Sequence, residues 1–270
     1  RKWHSAMQAT RQWNIAVEEL AMMETKRLRP NVRIYSRTIK ACELSAKWKQ
    51  AVCLLTIAES KEVQLDVIIC TAAISCCEKA SDWRAALALL TSFQGHQLEA
   101  DTISFGATLS VCKKAQEWQW AMCLLKDAQR RLVPLNSISC NSAISACTEA
   151  MQWQLAMRLL WDLHSFDVEA DSISYNAALA ASEWQQAVAL FESMLRDVVL
   201  PDVFTFSTAI TACSRAKQWL TASIFLEDAR ERRMVNLVTI NAAIEAVVQW
   251  EDALELIEIA QGLAIEVDSI

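Results

Sequence analysis

The chain has 270 residues, of which 53% are hydrophobic, and only three glycines and three prolines. That much apolar material excludes a disordered polymer, and so few turn-forming residues exclude a sheet of many short strands, which leaves helices. A formal charge of −6 excludes the uniformly basic surface that usually drives nucleic-acid affinity, and no run has the length of a membrane helix or the charged start and short apolar centre of a secretory signal.

Tryptophan measures the chain from its start. Trp13, Trp48, Trp83, Trp118 and Trp153 follow one another at intervals of 35, and Trp184, Trp219 and Trp250 continue at 31, 35 and 31. Cysteine keeps the same spacing: Cys42, Cys77, Cys112 and Cys147 are 35 apart, and Cys213 lies 66 further, one 35 plus one 31. Two residue types on one lattice define an internal repeat. Its units run as a partial repeat over 1–31, then 32–66, 67–101, 102–136, 137–171, a shortened 172–202, 203–236 and a shortened 237–268, with 269–270 opening another.

Each unit divides into two predicted helices. In 137–171, Cys140, Ile144 and Cys147 recur at helical spacing in the first segment, and Trp153, Ala156, Leu160 and Leu163 in the second. Neither helix can bury its apolar stripe alone. The pairs must therefore stack on their neighbours, giving an all-α fold, an α-solenoid superhelix of antiparallel helix pairs in a single array. Asn176 lies eight positions before Trp184 and Asn241 nine before Trp250, against twelve from Asn141 to Trp153, so the first helices of 172–202 and 237–268 should be about a turn short.

The lattice cysteines fall on an apolar stripe with a whole repeat between copies, which makes them core residues and not metal ligands. His4, His96 and His164 are scattered, without a carboxylate or cysteine constellation, and no glycine-rich loop is present to cradle a phosphate. No catalytic residues, metal site or cofactor are expected, and the chain reads as a binding protein and not an enzyme.

Beside the apolar stripe of the first helix runs a polar one, Asn141, Ser145 and Thr148, with equivalents Thr71, Ser75 and Glu78, and Ser207, Thr211 and Ser214. Its leading position holds Ser36, Thr71, Gly106, Asn141, Asn176, Ser207 and Asn241, short residues where a solvated helix face would favour Glu, Lys, Gln or Arg. Each unit closes on Asp66, Asp101, Asn136, Asp171, Asp202, Asn236 or Asp268. Those closing residues suit a helix N-cap, and they also suit a groove in which every repeat offers a small donor and acceptor set.

Openings such as SISCNSAISACTEA, VIICTAAISCCEKA and VFTFSTAITACSRA resemble the pentatricopeptide repeat family. The tetratricopeptide unit, about 34 residues with a tryptophan, glycine and tyrosine pattern, fits less well. The resemblance implies binding of single-stranded RNA at one base per repeat, in which the fifth and closing residues choose the base and the second residue clamps its face. Ser36 with Asp66 and Thr71 with Asp101 then resemble guanine-selecting pairs, and Ser207 with Asn236 an adenine-selecting pair. Asn141 with Asp171, Asn176 with Asp202 and Asn241 with Asp268 resemble uracil-selecting pairs. Gly106 with Asn136 is undefined, because Gly106 has no side chain to hydrogen-bond, and the implied target is 5′-GGNUUAU-3′.

In the same scheme the clamps are Ile68, Ile103, Ile138, Ile173, Phe204 and Val238, and Arg33 stands at this position in the first full unit, where its guanidinium can stack instead. Lys79, Lys114 and Arg215 would meet the phosphates, although Leu44 and Glu149 interrupt that basic track. The family resemblance further implies work in a plastid or mitochondrion, in RNA processing, stabilisation, editing or translation, as a monomer with protein partners for processing. A protein-interaction scaffold without RNA binding is the alternative, since helical solenoids commonly present surfaces to peptides.

Overall fold

Helices begin on the repeat lattice in the computed structural model, which describes residues 13–18, 20–23, 25, 32–61, 63, 65–95 and 98–246. The first helices are α1 (Val32–Leu44), α3 (Val67–Ala80), α5 (Thr102–Lys114), α7 (Ser137–Glu149), α9 (Ser172–Leu179), α11 (Val203–Arg215) and α13 (Leu237–Ala246). The second helices are α2 (Trp48–Ser60), α4 (Trp83–Gly95), α6 (Trp118–Arg130), α8 (Trp153–Trp161, tightening to a 3-10 turn over Asp162–Phe166), α10 (Trp184–Arg196) and α12 (Trp219–Glu231). Every second helix opens on a lattice tryptophan. No strand occurs among the described residues. His4, His96, Trp250, Asp268 and most of the partial unit 1–31 lie outside them.

Local chemistry accounts for both ends of the first helices. At the start, the closing Asp or Asn of the preceding unit turns its side-chain Oδ1 onto the third backbone N–H of the new helix. The distances are 2.8 Å for Asp66 to Ile69, 2.9 Å for Asp101 to Ser104, 2.9 Å for Asn136 to Ser139 and 2.8 Å for Asp171 to Ser174. Asp202 to Thr205 and Asn236 to Thr239 repeat it at 2.8 Å. Each satisfies one of the donors that a helix start leaves unpaired.

At the other end the lattice cysteine supplies the stop. Its carbonyl accepts the N–H five residues on: Lys47 to Cys42, Asp82 to Cys77, Glu117 to Cys112, Gln152 to Cys147 and Gln218 to Cys213. Ala46, Ser81, Gln116, Met151 and Lys217 sit between at positive φ, completing a Schellman turn without glycine. The second helix then starts within a few residues, so each unit is a tight helical hairpin.

The described chain forms two compact units, one ending at Ala146 and the other beginning at Cys147, with the division inside α7. In the first, α1, α3 and α5 stack on one another and α2 and α4 pack against the first helix on either side. Tyr35, Ile39, Ile69, Ile74, Phe105 and Leu109 are sealed between them. In the second, α9, α11 and α13 stack in the same way. Phe191 meets Phe206 at 5.3 Å and Phe225 at 5.0 Å between ring centroids, tilted and edge-on, the arrangement that ring quadrupoles favour. Alanines seven apart, Ala51 and Ala58, Ala121 and Ala128, Ala222 and Ala229, let the paired helices approach closely.

The shortened unit behaves as the lattice predicts at its first helix. α9 has eight residues where α7 has 13. Lacking a lattice cysteine, it ends with bonds from Ala180 to the Asn176 carbonyl and from Ser182 to Leu179.

Candidate nucleic-acid interface

The second residue of a first helix lies in its opening turn, before the chain is committed to the core. There the structure leaves large apolar side chains in solvent: Ile68 and Ile138 are 71% exposed, Ile103 67%, Ile173 62%, Phe204 59% and Val238 57%. Arg33, in the same register, is also exposed. Scattered exposed apolar residues need no explanation, but one at the same register of six consecutive helices does.

The fifth residues point toward the seam between neighbouring first helices. Asn141 and Asn176 are 6% exposed and Ser207 8%, while Ser36, Thr71 and Asn241 are half-buried. Thr71 and Ser207 hydroxyls bond back to the carbonyls of Val67 and Val203 at 2.7 Å. Along the rest of the polar stripe Ser75, Glu78, Ser145 and Thr211 are half-buried, and its last position departs from a water-facing groove in two repeats. Thr148 is buried and donates to the Ala177 carbonyl at 2.9 Å, and Ser214 is buried as well. These polar residues seal one repeat against the next, because a first helix packs its neighbour along the flank that carries them.

In two places the side chains proposed to act together are physically joined. The Asn176 amide nitrogen lies 3.2 and 3.3 Å from the two carboxylate oxygens of Asp202, and its oxygen accepts the Thr205 hydroxyl at 2.7 Å. Thr71 Oγ1 lies 2.8 Å from Ser104 Oγ, which donates in turn to Asp101 Oδ1 at 2.6 Å. A hydroxyl on the third residue of the following helix connects each couple. Ser139 and Ser174 hold the same post, donating to Asn136 and Asp171 at 2.8 Å. A Cβ added to Gly106 would stand 2.7 Å from Ser139 Oγ, so this hydroxyl fills the room a fifth side chain would take. Sequence reasoning passed over these residues. Their signal was legible as Ser or Thr at one register: Ser104, Ser139, Ser174, Thr205 and Thr239.

Of the basic residues expected at phosphates, Lys79 donates to the Glu43 carbonyl at 2.8 Å and Lys114 pairs with Glu78 at 2.9 Å. Both partners belong to the preceding repeat. Arg215 is exposed at the end of α11. The fifth residue Asn241 is described, whereas its companion Asp268 is not.

All five lattice cysteines are buried with no exposure. Burial pushes the Cys77 and Cys112 thiols up to about 12, with Asp82 and Glu117 adding to it, and the Cys147 thiol to about 11. Among the described residues no group of His, Cys, Asp and Glu could hold a metal ion, and no helix is long and apolar enough to cross a membrane.

Helix pairs repeated at this period, capped and stopped in this way, define an all-α helical-repeat protein, a solenoid of the pentatricopeptide-repeat fold. The fold is shared with the crystal structure of the pentatricopeptide repeat protein PPR10 from maize, at a TM-score of 0.66 and 14% identity over 96% of this chain and 43% of that one. PPR10 in complex with an 18-nucleotide psaJ RNA element aligns at a TM-score of 0.71 with 12% identity, over 94% of this chain and 38% of that one. The repeat domain of Arabidopsis thaliana protein-only RNase P 1 in complex with tRNA aligns at 0.54 with 12% identity, over 61% of this chain and 87% of that one. This chain thus spans less than half the length of PPR10. No family profile matches the sequence and no curated protein is detectably similar to it.

Proposed function

We propose that the protein binds single-stranded RNA, each repeat taking one base between exposed second-position side chains and reading its edge with the fifth and closing residues. The observation that carries this reading is the recurrence, at one register, of a 57–71% exposed apolar side chain, together with fifth and closing residues that hydrogen bonds join in two of the repeats. An apolar face and a directional polar edge are what a flat, amphipathic base requires. Two solved structures of the same fold hold RNA, which supports the reading.

In this reading Ile68, Ile103, Ile138, Ile173, Phe204, Val238 and Arg33 clamp bases. The couples Ser36–Asp66, Thr71–Asp101, Gly106–Asn136, Asn141–Asp171, Asn176–Asp202, Ser207–Asn236 and Asn241–Asp268 select them. Arg215 meets phosphate, and Lys79 and Lys114 do so once drawn from their carboxylate and carbonyl partners. The protein acts on organellar transcripts, in a plastid or mitochondrion, as a monomeric binding component and not as a catalyst.

Equilibrium binding of 5′-GGNUUAU-3′ against a scrambled oligonucleotide of the same composition tests the assignment. Preference for the ordered sequence by at least about tenfold is expected, the scale of a few good base contacts. Equal affinity for both would remove the base assignments, and no affinity for either would favour a scaffold that takes protein partners.

A further inference from the structure

We propose that the exposed face of α1 is a phosphate-binding site, in which Arg33, Arg37 and Lys40 hold the sugar-phosphate backbone beside the first base of the RNA. The inference rests on the RNA-binding reading above and adds to it a contact that discriminates no base.

A helix brings its second, sixth and ninth residues onto one face. In α3 that face reads Ile68, Ala72 and Ser75, and in α5 Ile103, Ala107 and Ser110, one apolar side chain followed by two small residues. No other described first helix has a cation at any of the three positions. In α1 all three are cations, Arg33, Arg37 and Lys40, and all three are exposed.

Nothing in the described fold compensates these charges. None of the three has an ion pair among the described residues. Glu43, the one carboxylate of α1, is turned to the next repeat, where the Lys79 ammonium stands 3.9 Å from it and donates to its carbonyl at 2.8 Å. The same face of α3 offers Ala72 and Ser75, which carry no negative charge. Like charges three and four residues apart repel, and a cation in the first turn opposes the helix dipole. A face selected only for contact with water would interleave acids with the bases. The free protein instead carries an unfavourable cluster that an anion from outside relieves.

Position and charge identify the anion. Arg33 stands at the register of Ile68 and Ile103, and α1 stacks on α3 as α3 does on α5, all within one compact unit. A strand laid across the exposed side chains of α5 and α3 therefore meets this face next. From Arg33 to Lys40 the cations extend about 10 Å along the helix, and guanidinium groups grip phosphate oxygens in pairs. The helix pair over 32–61 holds six Lys or Arg against Glu43 and Glu59, so it is locally basic in a chain of net charge −6. Local charge of this kind, and not the net value, sets attraction to a polyanion. Lys79 and Lys114, by contrast, already have partners within the protein.

The test measures binding of the full chain to 5′-GGNUUAU-3′ and to its scrambled counterpart over a series of salt concentrations. Arg37→Gln with Lys40→Gln should weaken both complexes by the same factor, about tenfold at low salt, and reduce the slope of log affinity against log salt by about 1.4. It should melt no lower than the wild type, because repulsion is removed. Arg37→Lys with Lys40→Arg keeps the charges and should keep affinity and slope. Lys126→Gln with Arg130→Gln, the same change in charge at exposed residues of α6, should leave the slope unchanged. An unaltered slope in the α1 double Gln variant would overturn the proposal. So would an equal reduction in the α6 variant, which marks bulk charge, or a loss of affinity that accompanies a lower melting temperature, which marks a structural role. A wild type that binds neither oligonucleotide would instead remove the RNA reading on which the proposal stands.

Discussion

Burial makes the lattice thiols chemically silent and ties them to alkaline stability. The folded chain favours their neutral form, holding protons that the unfolded chain gives up from an ordinary value of 9.0. Stability from Cys77, Cys112 and Cys147 is therefore complete below about pH 9 and declines as pH rises toward 11 to 12. Denaturant titrations at pH 7.5 and 10 should show a lower midpoint at the higher pH with ionisation of the thiols as the cause, and a chain with Cys77 and Cys112 changed to Ala should lose less between the two. A brief pulse of iodoacetamide on the native protein should label Cys53 and Cys123, the exposed pair, before the eight buried cysteines. Rapid labelling of Cys112 without unfolding would contradict this picture. At the same scale, the closing residues show how one atom can serve two ends. Oδ1 is spent on the helix cap in all six described repeats, which leaves the second atom, oxygen in Asp66 and nitrogen in Asn136, as what distinguishes one repeat from another.

Element boundaries were legible because two chemical signals punctuate each unit. Asp or Asn before Val32-like starts and tryptophan at second-helix starts mark where helices open, and the structure opens them at Val67, Trp83, Thr102 and Trp118. The stop was harder to see. With three glycines in the chain, most of the left-handed residues that follow the helices, Ala46, Gln116, Leu132, Met151, Val198, Lys217 and Arg233, announce no turn, and only Ser81 and Asp167 are of turn-forming types. Val198 is the most strained of these, a β-branched residue at φ 60 that is 84% exposed and follows α10. Its neighbour Val199 bonds the Met194 carbonyl at 3.0 Å, so the turn is held by backbone and not by the side chain. Val198→Gly should raise stability by about 0.5–1 kcal/mol and the melting temperature by about 1–4 °C, the relief of left-handed strain exceeding glycine's added unfolded-state entropy. A lower melting temperature would mean that Val198 packs in a way the structure does not show. Contacts between repeats were illegible for a different reason. Aligning units compares each residue with its own copies, whereas Lys114 meets Glu78 and Thr148 meets the Ala177 carbonyl across a repeat boundary.

For the molecule as a whole, the proposed binding of RNA by an acidic chain would have to rely on something other than bulk charge. The net charge is −6, and two of the three expected phosphate contacts already have partners in the preceding repeat. On that proposal, stacking on the exposed second-position side chains and edge recognition by the couples would supply most of the affinity, about 1–3 kcal/mol for each stacked base. Sequence sets this balance openly in composition, but which lysines are free depends on packing. The central claim is that each repeat reads one base through its fifth and closing residues, and selection of bound sequences from a random RNA pool tests it most directly. The wild type should enrich GGNUUA in that order, and Asn176→Ser with Asp202→Asn should change the second U of that motif to A while the other positions stay. Enrichment of no common sequence, or an identical motif from both proteins, would contradict the account.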